Sequence, residues 1–297
     1  MSTIKLGVIG MSEGNGHPYS WSAIFNGYDA AYMKDCPFPV IPDYLAKQQF
    51  PQDGLGHLAA VTHVWCQQRA MAEHIAAAAK IAQVADSLEE MAESVDAVLL
   101  ARDDAENHYA MALPFLKAGI PIFIDKPFAV KINEAEKMWA AQQYANQIFS
   151  CSSLRYAKEL LLTDEERESI GEIKIVEGSI MKQWETYGIH ILEPVLAQLP
   201  GRGRLLDVKN MGGSYQKQVL VQWENTSGYF KTTGNIPSPL ELKFFGSKGN
   251  ISKTFSDSFN AFKNSLAEFI HVIQHPEQNI PVEETLELVT ILERGQA

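Results

Sequence analysis

A strand-like run, Ile4-Lys-Leu-Gly-Val-Ile9, passes into Gly10-Met-Ser12-Glu-Gly14-Asn15-Gly16-His17-Pro18. Glycines between a buried strand and a helix leave main-chain N–H groups uncovered. With the helix dipole, those groups can hold a pyrophosphate. The spacing departs from Gly-x-Gly-x-x-Gly: Ser12 stands at the second glycine position, and Gly14 and Gly16 straddle the third. A serine still admits a phosphate close to the main chain, so Gly10, Ser12, Gly14, Asn15 and Gly16 are candidate cofactor ligands. An ordinary tight strand-to-helix loop is the competing reading. His17, just beyond the turn, could face the cofactor or the substrate. A dinucleotide ribose is usually held by an acid at the end of the second strand, but here that strand ends Trp65-Cys-Gln-Gln-Arg69. Arg69 could instead meet a 2′-phosphate, favouring NADP, or be a solvated surface arginine. His271 and His275 lie four apart with Glu268 nearby, a spacing that suits a metal face. A histidine just before Pro276 at a helix C-terminus is accounted for by the dipole, and no metal is expected. No nucleophile-elbow motif supports Ser/His/Asp hydrolysis.

The elements that must position these residues fall into two halves. In the first, apolar strand runs (4–9, 61–65, 95–101, 120–124, 148–152) alternate with helical stretches (from Ser20, 70–82, from Ser87, 106–118, 134–145). Such alternation predicts a parallel sheet covered on both faces. In the second, alternating segments at 173–182, 205–211, 216–223, 228–233 and 240–245 are separated by turn residues such as Gly212-Gly213 and Ser247-Lys-Gly-Asn250. That pattern predicts an open, mainly antiparallel sheet, and two helices, 259–274 and 283–292, close the chain. The expected fold is therefore α/β: a Rossmann-type N-terminal domain, 1–126, and an α+β C-terminal domain, 127–297. Residues 28–60 form a long insertion before the second strand, read as a lid or a packing arm.

Composition narrows the function classes. The 297 residues are 46% hydrophobic and 21% charged, with a formal net charge of -11. An acidic surface without a Lys/Arg run disfavours nucleic acid and anionic lipid. No apolar stretch approaches the ~20 residues of a membrane span, and the start of the chain does not read as a signal peptide. Three scattered cysteines, Cys36, Cys66 and Cys151, do not form a disulfide framework. A protein of the cytoplasm is expected.

Further stretches carry a resemblance. Asp96-Ala-Val-Leu-Leu-Ala101 leads to His108. Ala118-Gly-Ile-Pro-Ile-Phe-Ile-Asp125-Lys126-Pro127-Phe-Ala129 follows, then Tyr187-Gly-Ile-His190-Ile-Leu-Glu193. Phe262 to Phe269 and Pro281 to Val289 come last. Together these resemble the Gfo/Idh/MocA family of nicotinamide-dependent sugar dehydrogenases over nearly the whole chain. The Asp-Lys-Pro segment, usually Glu-Lys-Pro in the family, is its most specific part. The resemblance implies NAD or NADP as cofactor and a carbohydrate-like substrate. It also implies Lys126 orienting the hydroxyl and His190 exchanging its proton, a task suited to a group that titrates near neutrality. Pro127 fixes the chain direction just after Lys126. The resemblance further places Arg155 and Tyr156 at a substrate mouth, where Arg155 would bind a carboxylate or hydroxyls or else form a structural ion pair, and Thr186 and Tyr187 beside His190. It implies a homodimer or homotetramer through the C-terminal sheet.

Two departures touch chemistry. The family often has an Asp four residues before the histidine, where this chain has Thr186, and a Thr-Pro-Asn run where this chain has Arg102-Asp103-Asp104-Ala-Glu-Asn107. Arg102 and Asp103 would then meet the cofactor together with His108, or the acids would serve as helix caps. Trp184 is read as a core aromatic or a sugar-stacking wall. The departures motivate a second function class, a dinucleotide-binding sensor of the same fold without turnover.

Overall fold

The computed structural model describes residues 3–213 and 215–297. The chain divides into two compact units. Unit 1 comprises residues up to Phe128, Glu136–Ser150 and Phe262–Ile280; unit 2 comprises Ala129–Ala135, Cys151–Ala261 and Pro281–Ala297. The expected division at 126/127 is therefore only the first of several crossings. The chain returns to unit 1 twice, because the strand at 148–149 and most of the long helix 258–274 are needed to finish its sheet and core.

Unit 1 runs β1 (Ile4–Ile9), α1 (His17–Asn26), α2 (Ala30–Met33), α3 (Val40–Leu45), β2 (Ala59–Trp65), α4 (Arg69–Ala78), β3 (Gln83–Val84), α5 (Leu88–Ala92), β4 (Ala97–Leu100), α6 (Ala105–Lys117) and β5 (Ile122–Ile124). Helix α7 (Ile132–Ala140) and β6 (Ile148–Phe149) follow. Six strands pair in parallel in the order β3-β2-β1-β4-β5-β6, the doubly wound arrangement. Strands β4 and β5 are buried at every position, as strands covered on both faces must be. The order reverses between β1 and β4, which opens a crevice at the carboxyl ends of the strands.

The 28–60 insertion is a packing arm on α1. Met33 and Leu45 are buried, the Leu55 N–H donates to the Ile24 carbonyl, and Tyr44 Oη donates to Ser20 Oγ at 2.5 Å. Its Phe38 and Ile41 press on Gly16 so closely that a Cβ there would lie 2.5 Å from Ile41 Cδ1 and 2.6 Å from Phe38 Cδ2. Two ring and methyl groups must move to admit one carbon, so Gly16→Ala is expected to cost about 1–3 kcal/mol. Urea denaturation would measure the loss; unchanged stability would show that the arm does not close on the turn.

Unit 2 contains α8 (Asp164–Ile170), β7 (Ile173–Ile180), α9 (Trp184–Tyr187), α10 (Ile189–Leu196), β8 (Leu205–Asn210), β9 (Gln218–Trp223), β10 (Ser227–Thr232), β11 (Glu241–Gly246) and β12 (Asn250–Thr254). Helix α11 (Ser258–Gln274) leads back to unit 1, and α12 (Val282–Gln296) ends the chain. The sheet order is β12-β11-β7-β10-β9-β8. All its pairings are antiparallel except β7 with β10. One face buries Val176, Val219, Val221, Trp223, Phe230, Leu242 and Phe244 in a core shared with Ile191, Leu192, Ile291 and Leu292. The other face carries Ile175, Glu177, Tyr229, Lys231 and Lys243 on alternate positions. No helix among the described residues is long and apolar enough to cross a membrane.

Candidate active site

Strand register decides what meets at the edge of the unit 1 sheet. Ile9 lies beside Trp65 and Leu100, and Leu100 beside Ile124. The next residues continue the ladder: Gly10 N–H donates to Trp65 O, Ala101 N–H to Ile9 O and Asp125 N–H to Leu100 O. Four loops therefore leave the sheet at one edge, carrying the glycine turn, Cys66-Gln67-Gln68, Arg102-Asp103 and Asp125-Lys126.

These loops are tied together by polar side chains. Ser12 Oγ donates to Asp103 Oδ1 at 2.6 Å and accepts from the Asp103 N–H at 3.1 Å. Asp103 Oδ2 accepts from Lys126 Nζ at 3.4 Å, and Lys126 is 5% exposed. Asp125, 1% exposed, accepts from Asn15 Nδ2 at 3.0 Å and from the Lys126 N–H at 2.8 Å. Its Oδ2 lies 2.5 Å from His17 Nδ1. Burial pushes the Asp125 carboxyl up, but the charges of His17 and Lys126 and the hydrogen bonds outweigh it and hold the group below the ordinary carboxylate range.

The unbonded main-chain donors lie in the turn rather than in α1. The start of α1 does not offer free donors: the His17 N–H goes to Asn15 Oδ1, Pro18 has none, and Tyr19 and Ser20 donate to Gly16 O. The available donors are the turn amides of Met11 to Gly14, none of which is bonded to another described residue. Gly14 makes the turn with φ +78 and open space where a Cβ would stand. Asn15 is thus a brace of the turn, with its side chain committed inward, rather than a ligand.

Several candidate residues do other work. Arg69 is exposed and bound to Glu73 and Asp86, so its guanidinium is already engaged. His108 is fully buried, with its two ring nitrogens on the carbonyls of Arg102 and Phe128; it ties the β4 loop to the loop after β5. Arg102 is buried and paired through Nε and Nη2 with Asp104. Burial pushes the Asp104 carboxyl up, but this guanidinium and Asn107 bring it below the usual range. Arg102 Nη1 is buried without a hydrogen-bond partner. Nearby, burial pushes the Cys66 thiol up to about 12, with Arg102 opposing, so Cys66 stays protonated and unreactive. A cavity of about 280 Å³ adjoins the turn, lined by Met11, Ser12, Glu13, Cys66, Gln67, Gln68 and Met71. Uncommitted turn amides, an orphaned guanidinium nitrogen and an adjoining pocket with apolar walls fit a dinucleotide.

In unit 2, His190 lies in α10 with Nδ1 2.7 Å from Ser152 Oγ and its ring edge-on to Tyr187, centroids 5.4 Å apart. Lys182 Nζ reaches Tyr187 Oη and lies 4.2 Å from that ring's centroid. Ser152 N–H donates to Glu193 Oε2 at 2.6 Å. Arg155 does not line an open mouth: it is paired with Glu284 and lies 3.7 Å from Glu193. Tyr156 and Thr186 are half-buried. Trp184 is fully buried with Nε1 donating to Leu292 O at 3.0 Å, so it is core rather than a sugar wall. His271 contacts Gln278, and the His271 and His275 rings lie 4.6 Å apart. Ser152 and Glu193 escaped the sequence reading. Glu193 is one turn from His190 on an apolar helix, a detectable signal; Ser152 is 38 residues away and had none.

Burial pushes the Glu193 carboxyl up to about 8; Arg155 and the Ser152 N–H oppose this, and Glu284, competing for the same arginine, adds to it. A raised acid is a stability statement. The folded state holds the proton more tightly, so stability is complete below the unfolded value near 4.5 and declines as pH rises through about 8. The loss is on the order of a few kcal/mol. Thermal melts from pH 5 to 9 should fall for the wild type and flatten for Glu193→Gln; parallel curves would show that Glu193 does not titrate in this range.

The comparisons agree with this geometry. Residues 41–153 match a family model described as an oxidoreductase family with an NAD-binding Rossmann fold, Gfo/Idh/MocA. That stretch of the chain is similar to the Gfo/Idh/MocA family. The match begins inside the packing arm, so the divergent glycine turn lies outside it. Solved structures share the Gfo/Idh/MocA architecture over nearly the full length. GenD2 from gentamicin A biosynthesis, solved in complex with NAD, is 13% identical with a TM-score of 0.75, covering 99% of this chain and 93% of its own. Myo-inositol 2-dehydrogenase from Lactobacillus plantarum is 11% identical with a TM-score of 0.74, covering 98% and 96%. Myo-inositol dehydrogenase from Corynebacterium glutamicum is 13% identical with a TM-score of 0.73, covering 98% and 95%. At these identities the likeness is one of fold. No curated protein sequence matches the chain.

Proposed function

We propose that the protein is a nicotinamide-dependent oxidoreductase interconverting a hydroxyl and a keto group on a sugar, sugar derivative or cyclic polyol. The observation that carries this reading is the buried Lys126, held at the crevice edge through Asp103 to Ser12 of the glycine turn. The cofactor supplies hydride transfer. Met11 to Gly14 and Arg102 Nη1 would hold its phosphates, and the pocket at Cys66-Gln68 its nucleoside. Arg69 is engaged elsewhere, which favours NAD over NADP.

Lys126 donates a hydrogen bond to the substrate oxygen and stabilises negative charge developing there. Asp103 keeps the ammonium in place. For the exchange of the hydroxyl proton the resemblance implies His190 of unit 2, which is braced by Ser152 and Tyr187. The outer sheet face of unit 2 is the surface through which copies of the chain would associate. Calorimetry with NAD and NADP, followed by nicotinamide absorbance over a sugar and polyol panel, tests the reading. Tight dinucleotide binding without turnover would favour a sensor; absence of binding would overturn both.

A further inference from the structure

The site as read uses Lys126 but leaves Asp125 and His17 without a task. Asp125 is ionised and can only accept, so the proton in the 2.5 Å contact belongs to His17 Nδ1. That fixes the tautomer: when neutral, His17 has its lone pair on Nε2. The ring plane is fixed as well. It stacks on Trp21 at 4.9 Å and 15°, and Phe262 meets it edge-on at 4.9 Å. Trp21 in turn stacks on Phe123 of β5, 4.8 Å away. The side chain of His17 nevertheless keeps 18% of its surface exposed, against 2% for Asp125. The charged groups around it are Asp125 and, next along the chain, Lys126, which is tied to Asp103; α1 and α11 present the rings of Trp21 and Phe262.

A buried carboxylate that sets the tautomer of a largely buried histidine with an accessible edge has the form of the orienting pair of a general base. A staple between α1 and β5 needs neither exposure nor a proximate lysine. We propose that His17, oriented by Asp125, is the side chain of unit 1 that takes the substrate proton, in place of the His190 that the resemblance implies. In the forward sense the substrate O–H bond breaks, its proton goes to His17 Nε2, and the electron pair stays on oxygen facing Lys126. Asp125 remains ionised and stabilises the imidazolium. The inference rests on the oxidoreductase reading, with oxidised nicotinamide as the hydride acceptor.

The test begins without turnover. Nitrogen-15 NMR of histidine-labelled protein should show His17 as the Nδ1–H tautomer at high pH. Its Nε2 signal should shift when myo-inositol is added to the NADH-loaded protein. Asp125→Asn, whose amide can donate to Nδ1, should convert the ring to Nε2–H. In the absorbance assay, His17→Gln and Asp125→Asn should each lower kcat by about 100-fold. His17→Gln should also remove one limb of the pH profile, with dinucleotide affinity unchanged. An Nδ1-unprotonated ring, a signal indifferent to ligand, or full activity with an unaltered profile in His17→Gln would overturn the proposal. If wild type does not turn over any alcohol, the oxidoreductase reading fails, and the tautomer and ligand shift still decide the assignment of His17.

Discussion

Lys126→Met is expected to lower kcat by about 1,000-fold while leaving dinucleotide binding intact. Methionine keeps the length and apolar body of the side chain, so the 5%-exposed position stays filled. What is lost is the one ammonium that the structure holds at this edge by way of Asp103. Asp103 keeps its two bonds to Ser12, so the clamp between the glycine turn and the β4 loop should persist and the dinucleotide pocket with it. Lys126→Arg should not rescue, because a planar guanidinium cannot occupy the place of a compact ammonium. Steady-state kinetics on any substrate found in the panel, with calorimetry for NAD, separates the effects. A kcat near wild type, or a loss confined to NAD affinity, would remove Lys126 from the chemistry.

Arg155→Met is expected to cost 3–5 kcal/mol of stability, on the order of what breaking a buried ion pair costs. Arg155 lies between Glu284 and the buried Glu193, and both carboxylates lose their counter-charge together. Glu193, already pushed up to about 8 by burial, would be protonated more fully, which softens the penalty as pH falls. The triple variant Arg155→Met, Glu193→Gln, Glu284→Gln should recover much of the loss, because a neutral trio does not bury an unpaired charge. Urea midpoints for the wild type, the single variant and the triple variant provide the comparison. Equal midpoints for wild type and single variant would return Arg155 to its expected place as a solvent-facing substrate ligand.

Much of the fold was legible because its signals are local. The apolar runs that became β1, β4 and β5 cannot face water on either side. The capping box at Thr163 and Glu166 formed as its spacing predicts. Trp184, read as a core aromatic or a sugar wall, lies buried in the short helix α9. Its burial was in the composition of the segment; its element was decided by packing against α12, whose Leu292 carbonyl accepts from Trp184 Nε1. The flanking Asp and Pro marked Lys126 as a candidate, and the structure buries it against Asp103. Arg155, Arg69 and His108 carry the right chemistry, but their partners are Glu193 and Glu284, Asp86 and Glu73, and two main-chain carbonyls. A side chain's type announces what it can bond and not what stands opposite.

The same division holds for the molecule. Alternation of short apolar runs with helices was enough to require a covered parallel sheet, and period-two patterning a one-sided second sheet, because burial of apolar surface depends on local sequence. Tertiary structure alone decided that Asp125 would select His17 and Asn15 from more than a hundred residues away. It also decided that the turn amides of Met11 to Gly14, rather than those of α1, are left without a partner among the described residues. Those outcomes depend on strand register and on the competition of polar groups for partners at one sheet edge, and no window of the sequence contains both sides of that competition.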